Sequence, residues 1–346
     1  MQNKVFHIVP DNRLGGIFIY IERLSLNSSR DHKHFIFKGQ PDLNGVYKKG
    51  KKPINLRKYY SLLILIDLII NSPLYLLQII SNEKIFFHTP FLLIHHLFSL
   101  LLGKDSYLVL HDYNINKILQ ILLKRLKPKN VFCASQVLID HFQLYDFVKV
   151  LPPFYSEFDL SNLLQTNIED FNNKGNIIFL GNINKVKQIS NFCISFNNFM
   201  KNNDLTLSIY GDIIHKEIYN QIVQLNSDSI FIYNSIPHDQ VHDLLRGFKF
   251  LLIPSASEVF PIVYFEALNA NLIPLVNDIP FFRMVSGDAE NHIFQLNRSE
   301  TIRRTLCWAK NLTFQDYLNY ILNLKSNFAS YYKGNSSNLK KLFGYN

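Results

Sequence analysis

Cysteine is scarce in this chain: there are three in 346 residues, and Cys133, Cys193 and Cys307 lie far apart, outside any CxxC or Cys/His spacing. An odd, scattered set offers neither a disulfide framework nor a metal motif. Charge is thin as well, at 18% of residues against 47% hydrophobic, which is the opposite of a disordered composition. Long clean apolar runs are missing. Residues 59–80 are broken by Asp67, Asn71 and Pro73, and residues 91–102 contain His95 and His96. Neither reaches the roughly 20 apolar residues of a membrane helix, so both are expected to be buried or interfacial helices. The start, MQNKVFHIVPDN, lacks the apolar core of a signal peptide. A folded, cytoplasmic protein is the expectation.

What is present has an order. Short β-branched and aromatic runs alternate with helical patterns along the whole chain, as in parallel sheets covered by crossover helices. Strands are expected at 4–9, 34–37, 84–88, 107–111, 130–134 and 149–151, with helices such as 17–27 and 116–127 between them. Pro152-Pro153 and the polar stretch up to Gly175 break the alternation. It restarts with strands at 176–180, 205–210, 229–233, 248–253 and 272–276, nearly all apolar, as strands covered on both faces are. Two α/β domains follow, at 1–155 and 172–330, with a tail at 331–346.

The charge is unevenly shared. Residues 1–165 hold 20 Lys+Arg against 12 Asp+Glu, leaving 16 against 15 for the rest of a +9 chain. A basic first half suits an anionic partner, whether membrane surface, phosphate-bearing acceptor or nucleic acid, and equally suits plain solubility. Runs such as KKGKKPINLRK at 48–58 and LKRLKPK at 123–129 carry much of it. The aromatic–basic motifs of single-strand readers are missing, which weighs against nucleic acid.

In open parallel sheets, ligands sit beyond the carboxyl ends of the strands. The stretch SEVFPIVYFEALNANLIPLV at 257–276 reads as loop, helix and strand after the strand at 248–253. Pro261 suits a first helical turn. Glu258 then stands at the helix entrance and Glu266 on the helix, a lone charge among apolar neighbours, which calls for polar partners. The helix start offers free amides to an anion.

This segment resembles the E-x7-E motif of retaining GT-B glycosyltransferases, above all glycosyltransferase family 4. The resemblance implies two facing Rossmann-like domains, an N-terminal one for the acceptor and a C-terminal one for a nucleotide-sugar donor, with UDP- or GDP-sugars favoured. It implies that Glu258 contacts the donor sugar and Glu266 the ribose, with Phe260, Pro261 and Ile262 bordering the donor. FLGNINKVKQI at 179–189 is similar to the family's diphosphate clamp. Gly181 is its turn and Lys187 its lysine; Asn182 stands where arginine is usual, with Lys185 as a substitute cation. Gly211 in LSIYGDI, and the base near residues 234–237, fit the same pattern. In the first domain, Gly15 and Gly16 resemble the family's glycine loop. His111 in LVLHDYN resembles its catalytic histidine, with His88 in FFHTP as a second candidate.

The implied reaction is transfer of a hexose or related sugar, with retention, to a glycan or lipid-linked acceptor of bacterial surface polysaccharide or lipopolysaccharide. Peripheral contact with the inner membrane is part of that expectation. Without a DxD pair or His/Cys ligand spacing, no metal or other cofactor is expected. An inverting transferase, a nucleotide-sugar epimerase or a basic nucleic-acid binder remain alternatives.

Overall fold

A computed structural model describes residues 4–9, 16–25, 31–36, 76–155 apart from single positions, 158 and 168–343. Gly15, the basic run at 48–58 and the apolar stretch at 59–75 lie outside the described residues. The chain divides into two compact units: residues 1–155 with 335–346, and residues 156–334.

In unit 1 the described strands are β1 (Lys4–Val9), β2 (Asp31–Ile36), β3 (Lys84–Phe87), β4 (Asp105–Leu110), β5 (Val131–Cys133) and β6 (Val148–Val150). They form one parallel sheet in the order β2-β1-β3-β4-β5-β6. Helices α1 (Gly16–Ser25), α2 (Leu93–Leu101), α3 (Lys117–Leu126) and α4 (Gln136–Phe142) connect them. Ile85, Phe86, Phe87 and Leu108 to Leu110 are fully buried, so the central strands are covered on both faces.

Unit 2 starts with helix α5 (Ile168–Asn173). Its strands are β7 (Gly175–Leu180), β8 (Leu207–Tyr210), β9 (Ile230–Tyr233), β10 (Phe248–Ile253), β11 (Ile273–Asn277) and β12 (Ile293–Phe294). The parallel order β12-β11-β10-β7-β8-β9, read from the β9 edge, is the Rossmann order 3-2-1-4-5-6. Helices α6 (Ile189–Asn202), α7 (Lys216–Val223), α8 (Val241–Arg246), α9 (Ile262–Asn269), α10 (Pro280–Ser286), α11 (Ser299–Lys310) and α12 (Phe314–Asn335) complete the unit. The two-residue edge strand β12 was not anticipated, because so short an apolar pair gives no periodicity. The other strand ends match expectation or differ from it by up to three residues, with β1 and β10 exact.

Two polar anchors organise the ends of the chain. In α12, the Tyr317 hydroxyl donates to the carbonyls of Asn271 (2.6 Å) and Lys249 (2.9 Å), fastening the helix to the sheet. Beyond it, α13 (Ser337–Phe343) belongs to unit 1. There the buried Lys84 ammonium donates to the Leu342 carbonyl (2.6 Å) and lies over the rings of Tyr107 and Phe343, and Asn338 donates to the Val150 carbonyl. A buried ammonium is tolerated because carbonyl and ring faces replace its water. Among the described residues, no helix is long and apolar enough to cross a membrane.

Candidate active site

The strand order of unit 2 reverses between β7 and β10, and the loops that leave these two neighbours meet. Lys187, after β7, donates from Nζ to Oε1 of Glu258, after β10, at 2.6 Å. The two side chains are 25% and 12% exposed, so the pair is half-shielded from water while still open to it. Reversal points of this kind are where open sheets bind ligands.

The backbone explains why these two side chains meet. Asn184 Oδ1 accepts from the amides of Val186 (3.0 Å) and Lys187 (3.1 Å), curling residues 184–187 into a turn. The Ala256 amide then donates to the Val186 carbonyl (2.9 Å), which zips the turn to the β10 loop. On its other side, Ile183 donates to the Asp212 carbonyl and pairs with Ile213 after β8. Gly181 has φ +149°, a conformation that favours glycine. A Cβ on Gly211 would lie 1.9 Å from the Gly181 carbonyl oxygen. Gly211 therefore admits the Gly181 backbone, and the turn carrying Lys187 rests on that close approach.

The β10 loop is braced too. Asn277 donates from its amide to the Ser255 carbonyl (3.0 Å), and its Oδ1 accepts from the Leu296 amide (2.9 Å). The Ser255 hydroxyl is buried at the root of this loop with no hydrogen-bond partner among the described residues, a group that a ligand or water would satisfy. Pro261 takes the position before α9 instead of the first helical turn, with extended ψ of 104°, and among the described residues no side chain caps the helix. The first amides of α9 are left for an anion. Pro261 and Ile262 are buried, and Phe260 packs edge-on against Phe281.

Glu266 lies on α9, whose other side chains are nearly all buried, and its Oε1 is 3.7 Å from Nε2 of His238. His238 follows the stretch 234–237 and went unnoticed in the sequence, where it looks like one more polar loop residue. Asn182 and Lys185 point to water; Lys185 reaches only Glu217, at 3.9 Å between two exposed side chains. Lys187 and Glu258 are thus brought together, and Lys185 is not.

In unit 1 the described order reverses between β1 and β3, and histidines gather there. His7 on β1 hydrogen-bonds through Nδ1 to Nε2 of His88, just past β3, at 2.9 Å. His88 Nδ1 in turn meets Nε2 of His111, past β4, at 2.9 Å. Consecutive rings stack at 5.2 and 5.1 Å, and Tyr20 stands edge-on to His111 at 4.7 Å. The Tyr20 hydroxyl donates to the Leu151 carbonyl. Burial lowers the His111 pKa to about 3, so this imidazole is neutral at neutral pH. A neutral imidazole carries one N–H, so where His111 Nε2 accepts from His88 Nδ1, the His111 Nδ1–H points onward. His7 is the member that sequence reasoning missed. Its signal is a lone histidine inside an apolar strand. Gly16, the other expected contributor, is the first residue of α1.

Residues 164–312 match the family model of glycosyl transferases group 1. Among solved structures, Anabaena HepE in complex with UDP and glucose is similar at 14% identity and TM-score 0.67, over 99% of this chain and 98% of that one. Sucrose-phosphate synthase from Thermosynechococcus elongatus gives 11% identity and TM-score 0.69, over 99% and 98%. The chain is a GT-B glycosyltransferase. A UDP-forming α,α-trehalose-phosphate synthase from Burkholderia xenovorans in complex with glucose-6-phosphate is also similar, at 9% identity and TM-score 0.67 over 97% and 100%. No curated protein matches the sequence. In this glycosyltransferase the family match covers the stretch that holds Lys187, Glu258 and Glu266, and the histidine chain lies outside it.

Proposed function

We propose that this glycosyltransferase takes a nucleotide-sugar, UDP- or GDP-linked, and transfers its hexose or related sugar with retention to a glycan or lipid-linked acceptor. The observation that carries the reading is the Lys187–Glu258 pair at the reversal of strand order, beside the uncapped start of α9. The family 4 pattern is the finer assignment within it. On this reading a donor diphosphate takes over Lys187 and the α9 amides, and Glu258, relieved of its lysine, turns to the sugar hydroxyls. Glu266 holds the ribose. The diphosphate charge is met by these groups, and no divalent ion is required.

In the proposed reaction the bond between the sugar anomeric carbon and the diphosphate oxygen breaks. The acceptor oxygen bonds to that carbon on the same face, and its proton passes to the departing diphosphate. Protein groups orient the reactants and stabilise the leaving charge. Neutral His111, held by His88 and His7, serves as a donor to a sugar hydroxyl. A thermal-shift panel of nucleotide-sugars identifies the base and sugar, and the anomeric coupling of the product separates retention from inversion. An inverted product, or nucleotide release by an epimerase without acceptor, contradicts the reading.

One feature of unit 1 favours a membrane-borne acceptor. Among the described residues, helix α3 buries only Leu123 and exposes Ile118, Ile121, Leu122 and Leu126 along one stripe, with exposed Lys117 and Lys124 beside it and exposed Arg125 within it. Ile94 and Leu101 of α2 are exposed as well. An apolar stripe edged with cations suits an anionic bilayer surface, where acyl chains take the apolar side chains and headgroups the charges. Surface polysaccharide or lipopolysaccharide assembly at the cytoplasmic face of the inner membrane is consistent with it. Flotation with phosphatidylglycerol vesicles tests this: binding that survives Ile118→Asp/Ile121→Asp unchanged contradicts it.

A further inference from the structure

Helix α12 presents Asp316, Asn319, Tyr320 and Asn323 at the spacing of one helical face, and this face forms one wall of a pocket of about 460 Å³. Trp308 and Asn311, at the end of α11, and Asn291, just before β12, complete the lining together with Leu312. Asn291 precedes an edge strand parallel to β10, whereas Glu258 follows β10. The pocket therefore opens at the amino ends of the strands, the opposite end of the sheet from Lys187 and Glu258, and shares no residue with them.

The lining has a definite chemistry. Four asparagines supply amide donors and acceptors. The Oδ1 atoms of Asn319 and Asn323 already accept from Gln315 (3.2 Å) and Asn327 (3.1 Å), which fixes the two side chains and turns their remaining donors to other partners. The aromatic floor is rigid: the Tyr320 hydroxyl is held by His292 Nδ1 (2.8 Å), whose Nε2 meets the Ser286 hydroxyl (2.9 Å). Trp308 leans on Tyr320 at 4.6 Å with the ring planes 57° apart, and it stays half-exposed. Among the described residues, Asp316 is the one charged group in the lining, and no lysine or arginine lines the pocket. A nucleotide or other phosphate would find no cation here. A molecule with an apolar face for the indole and a rim of hydroxyls for the amides fits, and the volume falls in the range of small-molecule sites.

We infer that this pocket is a second saccharide-binding site, for a neutral glycan, separate from the donor site. A glycosyltransferase that elongates or modifies a chain gains from holding a distal part of it, because a second anchor raises the local concentration of the first. The inference does not rest on the donor reading, and its test uses no donor.

The test exploits composition: Trp308 is the one tryptophan in the chain, so intrinsic tryptophan emission reports on this pocket alone. The full-length protein is titrated with maltotriose, cellotriose and chitotriose, and with UDP as the control. The expected result is a saturable emission change with at least one trisaccharide, with a dissociation constant on the order of 1 mM, and none with UDP. Asn323→Ala and Asn319→Ala, both exposed substitutions, should each weaken that binding about 5- to 10-fold, corresponding to one lost hydrogen bond. Saturation-transfer NMR of Trp308→Leu should show the same trisaccharide released. The inference is overturned by emission that no trisaccharide moves, by UDP moving it as strongly, or by affinities that both asparagine variants and Trp308→Leu leave untouched.

Discussion

Both units lay six described parallel strands side by side, and both reverse their strand order near the centre, yet they furnish the reversal differently. Unit 1 places His7, His88 and His111 there in a hydrogen-bonded chain; unit 2 places a lysine against a glutamate. The depth of burial goes with this contrast. His7 and His88 are all but inaccessible, and burial drives His111 to its neutral form, whereas Lys187 and Glu258 stay partly wet and ionised partners hold each other. A neutral imidazole at the end of such a chain has little electrostatic reach. An ion pair is different: it is a charge store that an incoming anion can open. The architecture is shared, and burial decides which chemistry each copy supports.

The largest effect should come from the ionic side. Glu258→Gln keeps the shape of the side chain and frees Lys187 from its partner. Turnover should fall about 100- to 1000-fold, since transition-state contacts of this kind are worth roughly 3 to 4 kcal/mol. Nucleoside-diphosphate affinity should hold or rise. Steady-state kinetics beside calorimetry checks both, and a parallel loss of affinity would break the proposed division between sugar and phosphate.

Acid sharpens the comparison from the neutral side. His96 in unit 1 accepts from Ser106 and donates to the Lys129 carbonyl, and burial lowers its pKa to about 4; burial likewise lowers His292 in unit 2 to about 3. Folded values below the unfolded 6.5 mean that the unfolded chain binds more protons between the two. Stability is therefore complete above about pH 6.5 and declines as pH falls below it, by roughly 1.4 kcal/mol per unit for each ring until its folded pKa is reached. Denaturant midpoints between pH 7.5 and 4.5 should trace this fall, and a flat profile would remove burial as the cause.

Gly211→Ala attacks the turn beneath Lys187. Its Cβ meets the Gly181 carbonyl at 1.9 Å, so backbone must move, at a cost of about 1 to 3 kcal/mol. The melting temperature should drop by several degrees, and diphosphate binding should weaken with it. An unperturbed variant would show that the close approach is dispensable. A smaller effect is expected for His7→Phe, which cuts the relay at its buried end: kcat should fall about 10-fold, with donor affinity retained. Loss of affinity without loss of kcat would place the relay outside catalysis.

Legibility in the sequence followed the same division. In unit 2, apolar strands bounded by glycine and proline gave the sheet almost to the residue, and the spacing from Glu258 to Glu266 pointed to the loop and helix of the candidate site. The pairing of Lys187 with Glu258 was not readable, because 71 residues separate them and strand order alone makes them neighbours. Unit 1 was legible as strands and much less so as chemistry. His7 sits in an apolar run where a histidine is more often structural, and its meaning emerges only with His88 beside it. Trp308 and the asparagines of α12 were passed over for a similar reason: an amphipathic helix face and a pocket wall have the same periodicity.

The account rests on Lys187 meeting the donor diphosphate, and calorimetric titration of Lys187→Ala with nucleoside diphosphate and with nucleoside tests that most directly. A charge-assisted hydrogen bond is worth about 1.5 to 3 kcal/mol, so diphosphate binding should weaken roughly 10- to 100-fold while nucleoside binding stays nearly constant. Lys185→Ala, which removes an exposed charge, should change neither by more than about 2-fold. A diphosphate affinity unchanged in Lys187→Ala, or a loss that appears in Lys185→Ala instead, would contradict the assignment of this site.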